Sequence, residues 1–195
     1  MHPDKFGDTY DIVKRCLLEW LAPCGTWAVH PMLSIFDTTG FADEFASFLG
    51  ARLVTAEPVP SKPGRAAYFR QAESWTETDH LFLDPDTGIA LPDHNKIGRM
   101  HLKADELVGI ATKRPGRLTL VFDQSYSRAS DSTRLSRTKE KLRWLQEHGV
   151  LGFAYYSHAN FVLVSTDKAM LCNAQRILTG TSRLPPRRFV WEQIT

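Results

Sequence analysis

The sequence is poor in cysteine and has no long uninterrupted run of apolar residues. Its three cysteines, Cys16, Cys24 and Cys172, show no CxxC spacing, which argues against a disulfide framework and against a thiolate zinc site. No apolar run reaches the roughly 20 residues that a membrane-spanning helix needs. The first residues also lack the basic flank and apolar segment of a secretory signal. We therefore expect a cytoplasmic protein with no membrane partner.

Motifs that mark several large enzyme classes are also missing. The chain has no GxxxxGKS or GxGxxG loop, which argues against nucleoside triphosphatases and dinucleotide-dependent enzymes. It has no GxSxG elbow, which argues against serine hydrolases of the α/β type. We predict a protein that works without a cofactor.

The formal net charge of +2 hides a strong asymmetry between the two halves of the chain. Residues 1–94 contain 7 Lys or Arg and 14 Asp or Glu, a charge of −7, whereas residues 95–195 contain 17 and 8, a charge of +9. A basic half of this kind is typical of proteins that bind polyanions such as DNA. The alternative is that the two halves neutralise each other within one domain.

Apolar periodicity predicts strands that alternate with helices along the chain. Strands are expected within 26–32, 80–88, 117–125 and 152–166, and helices at 9–21, 41–50, 101–112, 134–149 and 167–179. This alternation predicts one α/β domain over residues 1–195, a three-layer α/β/α sandwich with a mostly parallel central sheet. Lys14 and Arg15 in the first helix, and the KEK run at 139–141, are expected to face solvent.

Polar residues directly follow four of the predicted strands, where open α/β sheets bind their ligands. They are His30, then Asp84 and Asp86, then Asp123, Gln124 and Ser125, and finally Ser157, His158 and Asn160. We expect these side chains to meet at one edge of the sheet. The alternative for residues 84–88, Asp-Pro-Asp-Thr-Gly, is an ordinary turn with a glycine at positive φ.

The chemistry of this set suits hydrolysis of an N-glycosidic bond. Asp84 or Asp86 can activate a water as general base, and His158 can stabilise negative charge on a departing group. Gln124 and Asn160 can bind the donors and acceptors of a planar base that has been flipped out of a duplex.

Further candidates fall into two groups. The other substrate-binding candidates are Asp8, Tyr10, His30, Asp123, Tyr156 and Phe161. A helix cap is the alternative for Asp8, and core packing is the alternative for Phe161. The candidates for contacts to the DNA backbone are Lys103, Ser125, Arg128 and Ser157. The first three belong to a basic, hydroxyl-rich stretch from Lys96 to Arg143, whose alternative is a solvated loop.

Two other functions are open at this stage. Asp84, Asp86 and Asp123 can hold Mg²⁺ between two strand ends for phosphodiester hydrolysis, which would make the protein a nuclease. The same charge pattern fits a DNA-binding module without catalytic activity.

Five segments together resemble a family of small bacterial and phage proteins with a DPDTG or DPDNG motif after a strand. They are GDTYDIVKRCLL (7–18), WAVHPM (27–32), FLDPDTGI (82–89), VFDQS (121–125) and GFAYYSHANFVLVS (152–165). Within this family the chain is similar to phage-defence DNA glycosylases that excise glucosylated hydroxymethylcytosine. The resemblance implies a metal-independent hydrolase that leaves abasic sites in double-stranded phage DNA, and we expect a monomer. No lysine lies at a strand end beside the candidate residues, so we expect no Schiff base and a monofunctional reaction.

A looser resemblance links the chain to the uracil-DNA glycosylase superfamily, in which an early strand ends in an Asp-Pro motif and a later one in a His or Asn motif. Asp84-Pro85 and the run from Ser157 to Asn160 occupy those places. The chain lacks the Gly-Gln before Asp-Pro and the later His-Pro-Ser-Pro. The resemblance implies a uracil-DNA-glycosylase-like fold, with Asp84 as the water activator and His158 at the leaving group.

Overall fold

A seven-stranded central sheet with helices on both faces dominates the structure. The computed structural model describes residues 6–37, 39–61, 63–71, 75, 79–92, 98–125 and 129–191. The strands are β1 (Trp27–His30), β2 (Arg52–Leu53), β3 (His80–Leu83), β4 (Gly88–Ala90), β5 (His101–Lys103), β6 (Thr119–Asp123), β7 (Leu151–Tyr155), β8 (Asn160–Ser165) and β9 (Phe189–Trp191). The helices are α1 (Thr9–Leu21), α2 (Phe41–Leu49), α3 (Arg65–Arg70), α4 (Ala104–Thr112), α5 (Asp131–Glu147) and α6 (Lys168–Gly180).

The order of the central sheet is β2-β1-β3-β6-β8-β7-β9, and β4 and β5 form a separate parallel pair. The pairings of β1 with β2, of β1 with β3 and of β3 with β6 are parallel, as the alternation of strands and helices predicted. The pairings of β8 with β6, of β7 with β8 and of β7 with β9 are antiparallel, so the sheet is mixed. Strands β7 and β8 are joined by only four residues, 156–159, which allow a hairpin but no parallel crossover.

Apolar clusters on the two faces hold the helices against the sheet. Helices α1, α2 and α6 pack on one face around Phe82 and Phe153, and α3, α4 and α5 pack on the other around Leu83 and Val121. Alternate residues of each strand therefore serve opposite layers, which is the arrangement of an α/β fold covered on both sides. Among the described residues, no helix combines the length and apolar character that a membrane crossing requires.

Helix α1 brings charged residues to the sheet. It begins after Asp8, whose side chain accepts hydrogen bonds from the backbone N–H groups of Tyr10 and Asp11 as an N-cap. The helix buries Asp11 and Lys14 together with leucines of the apolar face. The prediction that Lys14 faces solvent is therefore wrong, because its position lies on the face that packs against the sheet.

Candidate functional site at the strand ends

A cavity of about 330 Å³, here called the strand-end cavity, opens at the sheet edge where β3 and β6 end. Its walls consist of Asp8, Tyr10, Asp11 and Lys14 from the start of α1, Ser34, the turn residues Asp84, Pro85 and Asp86, and Met100, Phe122 and Gln124. The structure thus brings together the predicted site residues Asp8, Tyr10, Asp84, Asp86 and Gln124. They come from three separate parts of the sequence.

A buried ion cluster centred on Lys14 lies at this cavity. Its Nζ is 2.9 Å from Oδ2 of Asp84 and 2.9 Å from Oδ1 of Asp11, and all three side chains are buried. The backbone N–H of Gly7 donates to Oδ2 of Asp11 at 2.9 Å. The ammonium group also lies 4.4 Å from the ring centre of Phe122, close enough for a cation–π contact.

The charged groups in this cluster shift one another's pKa values. Burial raises the pKa of Asp84 above its ordinary value, and the neighbouring Lys14 ammonium offsets only part of the rise. Burial on its own would lower the pKa of Lys14, but Asp84 and Asp11 outweigh it and leave that pKa raised. Lys14 is therefore a stable ammonium ion, while Asp84 accepts a proton more readily than an exposed aspartate does.

Aromatic rings and an amide complete the cavity. The ring of Tyr10 lies 5.7 Å from that of Phe122 and 5.4 Å from that of His158, which is exposed at the rim next to Tyr10. The Nε2 of Gln124 is buried and has no hydrogen-bond partner among the described residues. An unpartnered amide donor beside a cavity is a group that a bound acceptor can satisfy. His158 adjoins the cavity without lining it.

Asp123, which was predicted to bind substrate or Mg²⁺, belongs to a closed ion pair instead. Its Oδ2 is 2.6 Å from Nζ of Lys141, and the two side chains are 3% and 1% exposed. Its Oδ1 accepts from the backbone N–H of Ile89 at 3.0 Å and lies 2.6 Å from the hydroxyl of Ser125. Burial lowers the pKa of Lys141, with Asp123 opposing the decrease. Neither oxygen of Asp123 is left for a ligand.

Gly88 allows the turn after β3 to approach Asp123. Its φ is +110°, and a Cβ at this position would lie 2.1 Å from Oδ1 of Asp123 and 2.8 Å from the backbone N of Gln124. Only glycine fits both the backbone conformation and the space. The predicted glycine at positive φ in residues 84–88 is therefore confirmed, and the same segment places Asp84 and Asp86 at the strand-end cavity.

His30 lies on the other face of the sheet, away from the cavity-lining residues. It is fully buried, its Nδ1 accepts from the backbone N–H of Met32 at 2.9 Å, and its Nε2 lies 2.5 Å from the Tyr68 hydroxyl. Its ring also packs on Trp75, with 4.7 Å between ring centres. Burial lowers the pKa of His30 to about 3, so the ring is neutral. The prediction that His30 contacts substrate is replaced by a structural role at the end of β1.

The two aromatic candidates, Tyr156 after β7 and Phe161 on β8, are engaged in packing. Phe161 stands on β8 with its ring 5.2 Å from that of Phe122, inside the apolar cluster. Tyr156 is buried, its hydroxyl donates to the Asp131 backbone carbonyl at 2.7 Å, and Arg134 lies over its ring. Neither lines the strand-end cavity, so core packing explains both.

The hairpin between β7 and β8 uses its polar residues internally. The Ser157 hydroxyl donates to the Ala159 carbonyl at 2.6 Å and accepts from the Ala159 N–H at 3.1 Å. The Ser157 N–H donates to Oδ1 of Asn160 at 3.2 Å, and Asn160 pairs with Asp123 across the two strands. These bonds shape the turn, and they occupy the oxygen of Asn160 that was predicted to bind a base.

The residues predicted to contact the DNA backbone are dispersed over the structure. The Ser125 hydroxyl is bound within the Asp123 network, where Lys141 donates to it at 3.0 Å. Lys103 precedes α4 on β5, and its backbone N–H donates to Glu106 at 3.0 Å, which caps that helix. Arg128 lies outside the described residues.

The sequence interpretation missed the two buried lysines and Asp11. Asp11, Lys14, Leu18 and Leu21 follow helical spacing, so this charged pair continues a leucine stripe that marks the buried face. Lys141, predicted as part of a solvated face, likewise lies beside Leu142 and one turn before Leu145. A lysine within an apolar stripe, combined with aspartates at strand ends, is the signal that could have identified both pairs.

Among the residues that the structure describes, no group of three or more His, Cys, Asp or Glu side chains is placed to hold a metal ion. Asp84 and Asp123 each contact a lysine, and the carboxylates proposed for Mg²⁺ are therefore divided between two sites. No family model, no curated protein and no solved structure matches this chain.

Proposed function

We propose that this protein is a monofunctional DNA glycosylase, a hydrolase that removes a modified cytosine from double-stranded phage DNA in antiviral defence. The modified base is glucosylated hydroxymethylcytosine, as the sequence resemblance implies. The observation that carries the proposal is the Asp84 carboxylate at the strand-end cavity, held by the buried Lys14 ammonium at 2.9 Å. A uracil-DNA-glycosylase-like fold, a monomeric state and a cytoplasmic location stay predictions.

The strand-end cavity has room and aromatic surface for a nucleobase. Its volume of about 330 Å³ falls in the range of small-molecule sites. Tyr10 and Phe122 supply aromatic surface, against which a base can pack. Gln124 supplies the amide, whose Nε2 lacks an acceptor and can donate to a carbonyl oxygen of a pyrimidine.

Asp84 is suited to the hydrolytic step. Lys14 engages its Oδ2, so we assign Oδ1 as the oxygen that accepts a proton from water. The water oxygen then forms a bond to C1′ of the deoxyribose while the C1′–N bond breaks, and the bonding electrons leave with the base. The ionised carboxylate also stabilises the positive charge that develops on the sugar. The Gln124 amide stabilises the negative charge on the departing base.

The expectation that no lysine lies beside these residues is wrong, because Lys14 contacts Asp84, yet its charge supports a monofunctional reaction. Two carboxylates keep the pKa of its ammonium raised, and a protonated amine cannot attack C1′ to form a Schiff base. We therefore expect free base and an intact abasic site, without cleavage of the strand. His158, which was predicted to stabilise the leaving group, adjoins this site through its ring contact with Tyr10 and is proposed to contact substrate at the rim.

The test is to incubate the protein in EDTA with DNA that carries glucosylated hydroxymethylcytosine, and to measure alkali-labile sites and released base. We expect both products from the modified DNA and neither from unmodified DNA of the same sequence. An Asp84→Asn variant that folds like the wild type should yield neither. Strand breaks that need Mg²⁺ but no alkali would instead identify a nuclease. Binding without any product, unchanged in Asp84→Asn, would identify a non-catalytic DNA-binding module.

A further inference from the structure

A second cavity, here called the amino-end cavity, lies where the parallel strands of the sheet begin, and its volume is about 780 Å³. Among its lining residues, Thr26 precedes β1, Arg52 begins β2 and Asp79 precedes β3. The second half of α1 and the end of α2 supply the other walls. Because Asp84 follows β3 and lines the strand-end cavity, the two cavities lie at opposite ends of the sheet.

The guanidinium group of Arg52 is anchored at this cavity and still has donors to spare. Its Nε and Nη2 lie 3.0 and 2.9 Å from Oδ2 of Asp79, and Nη2 also donates to the Trp75 carbonyl at 3.1 Å. The other oxygen of Asp79, Oδ1, accepts from the Thr26 hydroxyl at 2.5 Å. Nη1 of Arg52 bonds to none of the residues that the structure describes. A guanidinium fixed on one side holds its remaining N–H groups ready for an oxyanion.

Arg15 adds a second guanidinium group to the rim. Its Nε donates to Oε1 of Glu19 at 2.7 Å, and both side chains are about half exposed. The guanidinium also lies 5.4 Å from the ring centre of Phe48. The charges of Arg15, Glu19, Arg52 and Asp79 cancel, but the two guanidinium groups leave several N–H donors against one free carboxylate oxygen of Glu19. The polar side of the cavity therefore suits a ligand that supplies acceptors.

The rest of the lining includes apolar side chains and an indole without a partner. Leu18 and Leu49 are buried, Phe48 is half-buried and Trp27 is 6% exposed. The Nε1 of Trp27 is buried and has no hydrogen-bond partner among the described residues. A buried N–H group in this state is stabilised by any acceptor that reaches it. A ligand that fits these walls combines an apolar body with oxygen acceptors.

The helix ends at this cavity do not require a cationic ligand. Backbone N–H groups donate to the last carbonyls of both helices, from Ala22 to Glu19 in α1, and from Gly50 and Ala51 to Ala46 in α2. Carbonyl groups that are bonded in this way no longer need a cation beside them.

We propose that the amino-end cavity is a second binding site of this protein, for a small organic anion that carries a carboxylate on a flat apolar body. The carboxylate bonds to Nη1 of Arg52 and to Arg15, and the body packs against Leu18, Leu49 and the ring of Phe48. The cavity volume lies in the range of small-molecule sites.

This site goes beyond the proposed function and does not rest on it. The two cavities share no lining residue, so a ligand in one leaves the other open. Helix α1 contributes to both, with Lys14 at the strand-end cavity and Arg15 at the amino-end cavity.

The experiment is calorimetric titration of the intact protein with 2-naphthoate, and with 2-naphthamide as the matched neutral probe. We expect one molecule of naphthoate to bind, and the amide to bind about tenfold more weakly because it lacks the charge-assisted hydrogen bonds. Ser47→Phe places a ring in the cavity from an exposed helical position and should abolish binding. Ser136→Phe, the same change at an exposed serine of α5 on the other face of the sheet, should bind like the wild type.

Charge variants test the sign of the ligand. Arg52→Gln should weaken naphthoate binding about tenfold, and the exposed Arg15→Gln about threefold. Glu19→Gln removes the rim carboxylate and should tighten binding about twofold. Asp84→Asn should bind naphthoate like the wild type, because Asp84 lies at the other cavity. Thermal unfolding of each variant checks that it folds.

Several results would overturn the site. Absence of naphthoate binding up to about 5 mM would do so directly. Unchanged binding in Ser47→Phe, or loss of binding in Asp84→Asn, would place the probe elsewhere on the protein. Equal affinities for naphthoate and naphthamide, or weaker naphthoate binding in Glu19→Gln, would contradict an anionic ligand.

Discussion

Asp84 directly follows β3, and Asp123 is the last residue of the neighbouring strand β6. Each aspartate contacts a buried lysine, yet the two pairs differ in what surrounds them. Asp84 lines the strand-end cavity, and its partner Lys14 also contacts Asp11. Asp123 is enclosed, with both carboxylate oxygens bonded within the protein. Two carboxylates raise the pKa of Lys14, whereas burial beside one carboxylate leaves the pKa of Lys141 lowered.

The comparison shows that an ion pair at a strand end does not by itself mark a functional site. A buried pair is costly to assemble, because both charges lose their hydration. The Asp123 pair offsets that cost with hydrogen bonds from Ile89 and Ser125. It also connects β6, β4 and α5. The Asp84 pair instead borders a cavity, so a ligand can use the charge. The predictions below test this division between a closed pair and an open one.

The largest effect is expected from Asp84→Asn, which removes the proposed proton acceptor from the open pair. We expect the single-turnover rate of base release to fall by about 10² to 10⁴, the usual contribution of a general base. Rapid quench of modified duplex DNA would measure this rate. In the matched variant Asp123→Asn, the folded fraction should release base at a rate within about threefold of the wild-type rate. Equal losses in the two variants would contradict the comparison.

Removing either lysine should destabilise the protein strongly. Lys141→Met leaves the enclosed Asp123 charge without its ammonium, which we expect to lower the free energy of unfolding by about 3–5 kcal/mol. Lys14→Met leaves two buried carboxylates, Asp84 and Asp11, without their ammonium, and we expect a loss at least as large. Urea unfolding of both variants measures the difference. A smaller loss for Lys14→Met would show that the cavity hydrates Asp84.

A smaller loss is expected from Gly88→Ala, which pushes a methyl group into the closed pair. The new Cβ would lie 2.1 Å from Oδ1 of Asp123 on a backbone at φ +110°. We expect a loss of about 2–4 kcal/mol from strain and overpacking. Thermal unfolding provides the measurement, and Gly98→Ala is the control because a Cβ there meets nothing within 4 Å. Stability equal to that of the control would show that the turn can move away from Asp123.

The smallest effect concerns pH. The pKa of Asp84 is raised above 3.8 by burial, and Lys14 opposes the rise, so Lys14→Met should raise it further. Because the base must be ionised, the rate of base release should fall as the pH drops through this raised pKa. In Lys14→Met the acid limb should move to higher pH.

Single-turnover rates from about pH 4 to about pH 8 would measure that shift, with Lys141→Met as the control whose acid limb stays in place. Stability follows the opposite trend with pH. The folded state keeps the proton of Asp84 to a higher pH than the unfolded state does. The free energy of unfolding therefore decreases as the pH rises from 3.8 through the raised folded pKa. An unchanged acid limb in Lys14→Met would remove Asp84 as the titrating base.

The sequence predicted local elements well because they depend on neighbouring residues. Helix α1 has its predicted bounds, since Asp8 caps it and Pro23 follows it. The strands around Leu83 and Val121 follow from short apolar runs. The antiparallel half of the sheet was not predicted, because apolar periodicity does not specify strand direction. The four-residue connection at 156–159 specifies it, once both flanking strands are recognised.

The site was harder to predict because its geometry depends on which layer each side chain faces. Asp84, Asp86 and Gln124 were placed correctly by the rule that ligands bind at strand ends. His30 was also predicted to follow a strand, but it is the last residue of β1, and alternation along β1 turns it to the opposite face. Lys14 reaches the site from a helix, and the strand-end rule has no information about helices.

The sequence distance between Lys14 and Asp84 has a consequence for how the chain folds. The two residues are 70 positions apart, and their contact forms only when α1 docks on the sheet. During synthesis, α1 leaves the ribosome long before β3 exists, so its lysine remains hydrated until the strand that carries its partner has been made. Contacts of such separation form slowly because a long loop must close first. The helix that completes the pocket is thus synthesised before the strand on which it packs.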